Sequence, residues 1–314
     1  MIQHGKWSED EIPDMTGRTM LITGANSGIG LQDSKVLAQK GARVLLGCRS
    51  PERGQEALRS VAAVAAGTAP ELVSLDLGDL DSVRMAADAV RELTEDSLDV
   101  LINNAGVMAP PRGTTKDGFE TQFGTNHLGH AALTWLLMPA LRGSARGRVV
   151  TMSSIAAHGG RIAFDDPNFE RRRYNAASGY AQSKLANQIF ALELDRHLRA
   201  ADETVISVAA HPGFVSSSLG ANMAKAWSNP LLSGFLNFGM PTFGQSPRIG
   251  ALPALYAATM PDVAGGDYYG PRGPAGVYGH PKKVGPVRAA LNALQASALW
   301  EMTAQMTGVT PDPA

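Results

Sequence analysis

The chain has 314 residues, with 28 Lys and Arg against 29 Asp and Glu, a formal net charge of −1 and only 18% charged residues. That length can bury a sizeable core, and the near-neutral balance leaves no basic footprint for nucleic acid. The lone Cys48 excludes an internal disulfide and a cysteine-built zinc site, as fits a reducing compartment.

Residues 1–17 carry Lys6, Glu9, Asp10 and Glu11 and no apolar core, so they do not read as a secretory signal and the expected location is cytoplasmic. Short apolar runs follow: Met20-Leu21-Ile22, Val44-Leu45-Leu46, Leu72-Val73, Val100-Leu101-Ile102, Val149-Val150 and Val205-Ile206. Between them lie helical stretches at roughly 28–40, 52–63, 79–92, 118–141 and 178–200. This alternation predicts an α/β fold: one Rossmann-like, doubly wound parallel sheet of about seven strands with helices on both faces. With no linker or repeat, residues 1–314 read as one domain, within which 214–250 forms a substrate-side lid. The uncharged stretch 226–247 is broken by Pro230, Gly234, Gly239, Pro241 and Gly244, whereas a spanning helix needs about 20 mainly apolar residues, so no integral membrane segment is expected.

The first strand runs into Thr23-Gly24-Ala25-Asn26-Ser27-Gly28-Ile29-Gly30, and a helix opens at once. Glycine permits positive φ and close backbone approach, and a helix N-terminus offers free N–H groups and partial positive charge. The turn therefore suits a dinucleotide pyrophosphate, although its Gly-x-x-x-Gly-x-Gly spacing departs from Gly-x-Gly-x-x-Gly.

Further motifs follow in order: Asn103-Asn104-Ala105-Gly106, Asn126, Ser153-Ser154, Tyr180-Ala181-Gln182-Ser183-Lys184 and Pro212-Gly213. With them the chain resembles the short-chain dehydrogenase/reductase family over about 15–305. Leu299-Trp300-Glu301 before Thr307-Gly308-Val309 is similar to the retinol-dehydrogenase-like branch and its bacterial relatives. The resemblance implies a cofactor site formed by Gly24, Asn26, Ser27, Gly28, Ile29, Gly30, Arg49, Asp76, Leu77, Asn103, Ala105, Gly106, Tyr180, Lys184, Pro212 and Gly213.

Where dinucleotide folds place an acid to read the ribose 2′-hydroxyl, the second strand here ends in Cys48-Arg49. An arginine suits a 2′-phosphate, so NADP is favoured over NAD; the alternative is a solvated residue after a strand. Asp76 resembles the family's acid at the adenine pocket, with helix capping as its other reading.

Tyr180 and Lys184 are four apart and share a helix face. A nearby ammonium favours phenolate, which makes the tyrosine a general acid or base. The resemblance adds Ser154 as the hydroxyl that polarises the substrate oxygen, with Ser153 facing the other way, and Asn126 as the member that holds Lys184 through water. Tyr174 lacks a lysine at position 178, and His127 and His130 have no third ligand, so no metal site is expected.

Ser154 and Tyr180 are separated by an insertion with Asp165-Asp166 and Arg171-Arg172-Arg173, expected at the substrate mouth as a solvated charge run or an anion attractor. Beyond Pro212-Gly213, apolar residues from Phe214 to Phe243 suit a lipophilic carbonyl or alcohol, or simple packing. The expected function is NADP-dependent interconversion of such a carbonyl and alcohol. A non-catalytic NADPH-binding regulator and an epimerase or dehydratase on the same fold are the alternatives. A homodimer and a homotetramer are both open.

Overall fold

The computed structural model describes residues 6–215 and 244–313. Its sheet begins with β1 (Thr19–Thr23), β2 (Arg43–Cys48), β3 (Glu71–Ser74) and β4 (Val100–Asn103). It continues through β5 (Arg148–Met152), β6 (Ile206–Ala210), β7 (Tyr268–Pro271) and β8 (Pro281–Lys283). The order is β3-β2-β1-β4-β5-β6-β7-β8. Seven strands run parallel, as expected, but an eighth pairs antiparallel with β7 through Tyr269 opposite Lys283 and Pro271 opposite Pro281. A proline and two lysines mark an edge strand, where an unpaired ladder is tolerated and further pairing discouraged.

The central strands are apolar on both faces because helices cover both. On one face α1 (Gly28–Gln39), α2 (Pro51–Ala62) and α8 (Pro247–Thr259) enclose a core that includes Met20, Ile22, Val44, Val150 and Leu255. On the other, α3 (Leu80–Thr94), α5 (Gly129–Leu136) and α7 (Ala176–Ala200) pack on Leu21, Leu45, Leu101 and Val149. Burying each such side chain contributes about 1.5–3 kcal/mol.

The helix expected at 118–141 is not continuous. It divides into α4 (Thr121–Phe123), a π-turn (Gly124–Leu128), α5 and α6 (Met138–Gly143). Within the π-turn the Gly129 N–H reaches the Gly124 carbonyl, an i→i+5 bond that places Asn126 at an irregular point of the helix. The last helix, α9 (Ala293–Thr307), covers α5 and α7: Trp300 lies 4.9 Å from Trp135, 5.6 Å from Phe190 and 4.4 Å from His197, ring centre to ring centre. No described helix is long and apolar enough to cross a membrane. Most of the expected lid, including Trp227, Leu231, Phe235 and Phe243, lies outside the described residues.

Candidate active site

A cleft of about 250 Å³ opens at the carboxyl ends of β1, β2, β4 and β5, where open α/β sheets bind ligands. Gly24, Asn26, Ser27, Gly28 and Ile29 line it, with Arg49, Asp76, Leu77, Ala105, Gly106, Tyr180, Lys184 and Pro212. The site residues expected from sequence thus converge from segments far apart in the chain.

The turn after β1 is shaped by two glycines. Gly28 has φ +55°, and a Cβ added there would meet nothing within 4 Å, so its backbone faces open space. At Gly30 an added Cβ would stand against the Asn104 side chain and 2.6 Å from the Gly24 carbonyl oxygen, which forces bare backbone at this crossing. Among the described helices of ten residues or more, α1 alone has no side-chain cap; α2, α3, α7, α8 and α9 are capped by Ser50, Asp79, Asn175, Ser246 and Asn292. An uncapped N-terminus at the floor of a cleft leaves N–H groups for an anion, so the residues present fit a dinucleotide phosphate.

At the far end of the cleft Arg49 is joined by Ser50 and Arg53. Sequence reasoning missed Arg53, whose signal is a second arginine one turn into α2. Among the described residues neither guanidinium forms an ion pair, and both are exposed. Asp76 also lines the cleft, its Oδ1 accepting the Gly78 N–H at 2.9 Å. Capping of α3 falls instead to Asp79, which accepts from the Asp81 and Ser82 N–H groups.

Asn103 departs from expectation. As the last residue of β4 it turns its side chain into the interior, donating to Thr134 Oγ1 at 2.9 Å, because alternate strand residues face opposite sides. Asn104 lines the cleft in its place, with Nδ2 donating to the Thr23 carbonyl at 2.8 Å. Gly30, Gly213, Ser154 and Asn126 are not among the residues that line the cleft.

Tyr180 and Lys184 project from the first turns of α7, with Lys184 Nζ 5.8 Å from the Tyr180 ring centre. Burial drives the Tyr180 phenol above its usual pKa, and the Ser154 hydroxyl acts against that rise. The Lys184 ammonium donates to the Met152 carbonyl at 3.1 Å. Burial pushes Lys184 down to about 8. Ser153 lines the cleft, although expected to face the other way, and its Oγ donates to the Lys184 carbonyl at 2.8 Å.

Asn126 is fully buried, and its amide is occupied by protein. Nδ2 donates to the Val107 carbonyl and Ser183 Oγ, each at 2.9 Å, while Oδ1 accepts the Val107 N–H at 2.8 Å. Its Oδ1 and Lys184 Nζ both stand over Gly106, 3.3 and 3.5 Å from where a Cβ would lie. Val107, Met108, Thr125 and Met152 also line the cleft; as ordinary apolar or loop residues they carry no distinguishing sequence signal.

Tyr174 is bonded to Glu120 Oε1 at 3.2 Å and Gln122 Nε2 at 3.1 Å, and burial beside that carboxylate drives its phenol up to about 12. It stays a neutral structural hydroxyl. The arginine run is largely neutralised: Arg171 pairs with Asp165, and Arg172 pairs with Asp166 while lying 3.7 Å over the Phe169 ring. Burial pushes Cys48 up to about 11, which makes it an unreactive filler. Among the described residues no three His, Cys, Asp or Glu come together as metal ligands.

The profile of the short chain dehydrogenase family matches residues 18–227. The chain is 37% identical to human retinol dehydrogenase 13 over 303 residues, covering 93% of this chain and 85% of that protein. It is 40% identical to mouse retinol dehydrogenase 14 over 308 residues, covering 94% and 87%. Among solved structures, an uncharacterised protein from Mycobacterium paratuberculosis is 41% identical with a TM-score of 0.78, over 97% of this chain and 98% of that one. The Pseudomonas aeruginosa RhlG/NADP active-site complex, 24% identical with a TM-score of 0.63 over 81% and 94%, shares the fold. The chain therefore belongs to the short-chain dehydrogenase family, whose members use NAD(P), and is an oxidoreductase of retinol-dehydrogenase-like type.

Proposed function

We propose that this protein interconverts a lipophilic alcohol and its aldehyde or ketone with NADP as the cofactor, using Tyr180 as general acid and base. The observation that carries the reading is the convergence, in one cleft, of the uncapped α1 N-terminus, the Arg49 and Arg53 guanidinium pair, and Tyr180 beside Lys184. Two unpaired arginines at the β2 end favour a 2′-phosphate over a bare ribose, since each charge-assisted hydrogen bond adds about 1.5–3 kcal/mol. The retinol dehydrogenase relatives, at 37–40% identity over most of the chain, support a lipophilic, retinol-like alcohol.

When bound, the nicotinamide supplies or accepts the hydride. The protein's own groups manage the proton. Tyr180 Oη gives its proton to the substrate oxygen in reduction and takes it back in oxidation. Its raised pKa keeps it a proton donor at neutral pH. Ser154, whose hydroxyl acts on that phenol, holds the substrate oxygen in reach. Lys184, with a pKa of about 8, is mainly an ammonium at neutral pH and stabilises the phenolate that forms as the proton leaves. Asn126 fixes the 107 loop against Ser183 and so the space beside Lys184.

The test is consumption of NADPH and of NADH against a panel of lipophilic aldehydes and ketones. Rapid NADPH oxidation with at least one of them is expected. A strong preference for NADH would overturn the arginine reading, and no turnover of either would leave a binding protein or an epimerase.

A further inference from the structure

Thr23 Oγ1 accepts the backbone N–H groups of Asn104 at 3.0 Å and Ala105 at 2.9 Å. A hydroxyl has two lone pairs and one proton, so both acceptor positions are filled and only the proton is left. The nearest acceptor for it is His130 Nε2 at 2.8 Å; the Ile102 carbonyl is 3.4 Å away. His130 Nε2 must then be bare, and the proton of the neutral ring sits on Nδ1, which donates to the Asn126 carbonyl at 2.9 Å. The hydrogen-bond count fixes the tautomer.

The ring is 1% exposed, and both nitrogens are used. It joins two parts of the site that no other described side chain connects in this way. On one side, through Thr23, is the Asn104–Ala105 turn that lines the cleft. On the other is the backbone of Asn126 in the π-turn, whose side chain grips Val107 and Ser183, next to Lys184. Burial of the imidazole, which pushes its pKa down to about 4, agrees with a permanently neutral connector.

We propose that His130 is a positioning residue for the reaction: as the Nδ1–H tautomer it locks the Asn126 carbonyl to the Thr23–Asn104–Ala105 turn and so sets the Asn126–Lys184 pair against the cofactor wall. It does not touch substrate or transfer the proton. The inference rests on the catalytic reading of the cleft for its kinetic consequence, but not for its structural one.

The test compares His130→Phe, which keeps a ring and loses both hydrogen bonds, with His130→Gln, which offers one donor and one acceptor. Two quantities are read in the full chain: kcat and KM with NADPH and a turned-over aldehyde, and hydrogen–deuterium exchange over 104–107 and 124–128. Phe is expected to lower kcat by about 10- to 100-fold, the scale of a lost buried hydrogen bond, with KM for the aldehyde little changed. Exchange should rise in both segments, and Gln should restore most of kcat. Should the Phe variant not fold, His130→Asn, whose shorter amide reaches one partner only, takes its place with the same expectation. Wild-type kcat and exchange in the Phe variant would overturn the proposal. So would a Gln variant as impaired as Phe, which would assign the effect to side-chain shape rather than to the two hydrogen bonds. If the wild-type chain turns over no carbonyl, the proposed function fails, and the exchange measurement alone still decides the role of His130.

Discussion

The two sides of Tyr180 are built by different means. Toward the nucleotide cleft the chain is held by backbone and buried neutral groups: the bare Gly30 crossing, Asn104 on the Thr23 carbonyl, and Thr23 on the Asn104 and Ala105 amides. On the other side the segment between Ser154 and α7 is held by charged and polar side chains. Asp166 accepts the N–H groups of Glu170, Arg171 and Arg172, Arg172 reaches Gln182 at 2.9 Å, and Arg112 donates to the Phe169 carbonyl at 2.9 Å. A wall of fixed main chain tolerates almost no change, whereas one fastened at separate side-chain anchors can vary while the nucleotide wall stays as it is. This division suits an enzyme with a constant cofactor and a substrate of its own.

The contrast breaks first at the glycine crossing. Gly30→Val puts a branched side chain where the Asn104 amide and the Gly24 carbonyl already meet. Nucleotide binding should fall below detection, as measured by NADPH fluorescence titration, with loss of stability as well. Next in size is Arg49→Ala: removing one charge-assisted partner should weaken NADPH by about 10- to 100-fold and leave NADH nearly unchanged. A parallel loss for both nucleotides would remove the 2′-phosphate argument.

The substrate-side wall predicts a different pattern. Asp166→Asn weakens three backbone anchors and the Arg172 pair of a buried carboxylate, so a loss of stability is expected. Calorimetry should show a small drop in Tm, and kinetics a raised KM for the carbonyl with unchanged NADPH affinity. An equal loss of NADPH affinity would show that the two walls are not independent.

The smallest effect concerns Asp33 on α1, which is fully buried with neither carboxylate oxygen hydrogen-bonded. Burial raises its pKa well above the usual carboxylate value. A folded pKa above the unfolded one means the unfolded state releases the proton first, so stability declines as pH rises from about 4 through the folded pKa. Asp33→Asn, neutral at every pH, should raise Tm by a few degrees at pH 8 and lose that advantage toward pH 4. A constant difference across this range would contradict the assignment.

Much of the nucleotide side was legible in the sequence because its determinants are local. The glycines of the first turn, the Tyr180 and Lys184 spacing and the apolar strands are set by neighbours within a few residues. The π-turn was not legible: one extra residue per turn at Gly124–Leu128 leaves the apolar period nearly intact, so 118–141 reads as one helix. Arg53 reads as a solvated helix charge until β2 and α2 are placed beside the cleft. Strand β8, a Pro-Lys-Lys edge, has no strand propensity of its own and exists through pairing with β7. His130 carries no sequence signal beyond the lack of a third metal ligand, since one of its two contacts lies 107 residues away along the chain.

The central claim is that Tyr180 moves the proton while the rest of the cleft binds the cofactor. It is tested most directly by Tyr180→Phe, measured for NADPH affinity and single-turnover reduction on the same preparation. NADPH affinity should stay within about threefold, while the rate falls by at least the roughly 10²–10⁴ expected for loss of a general acid. A variant that binds NADPH and reduces the carbonyl at the wild-type rate would contradict the account.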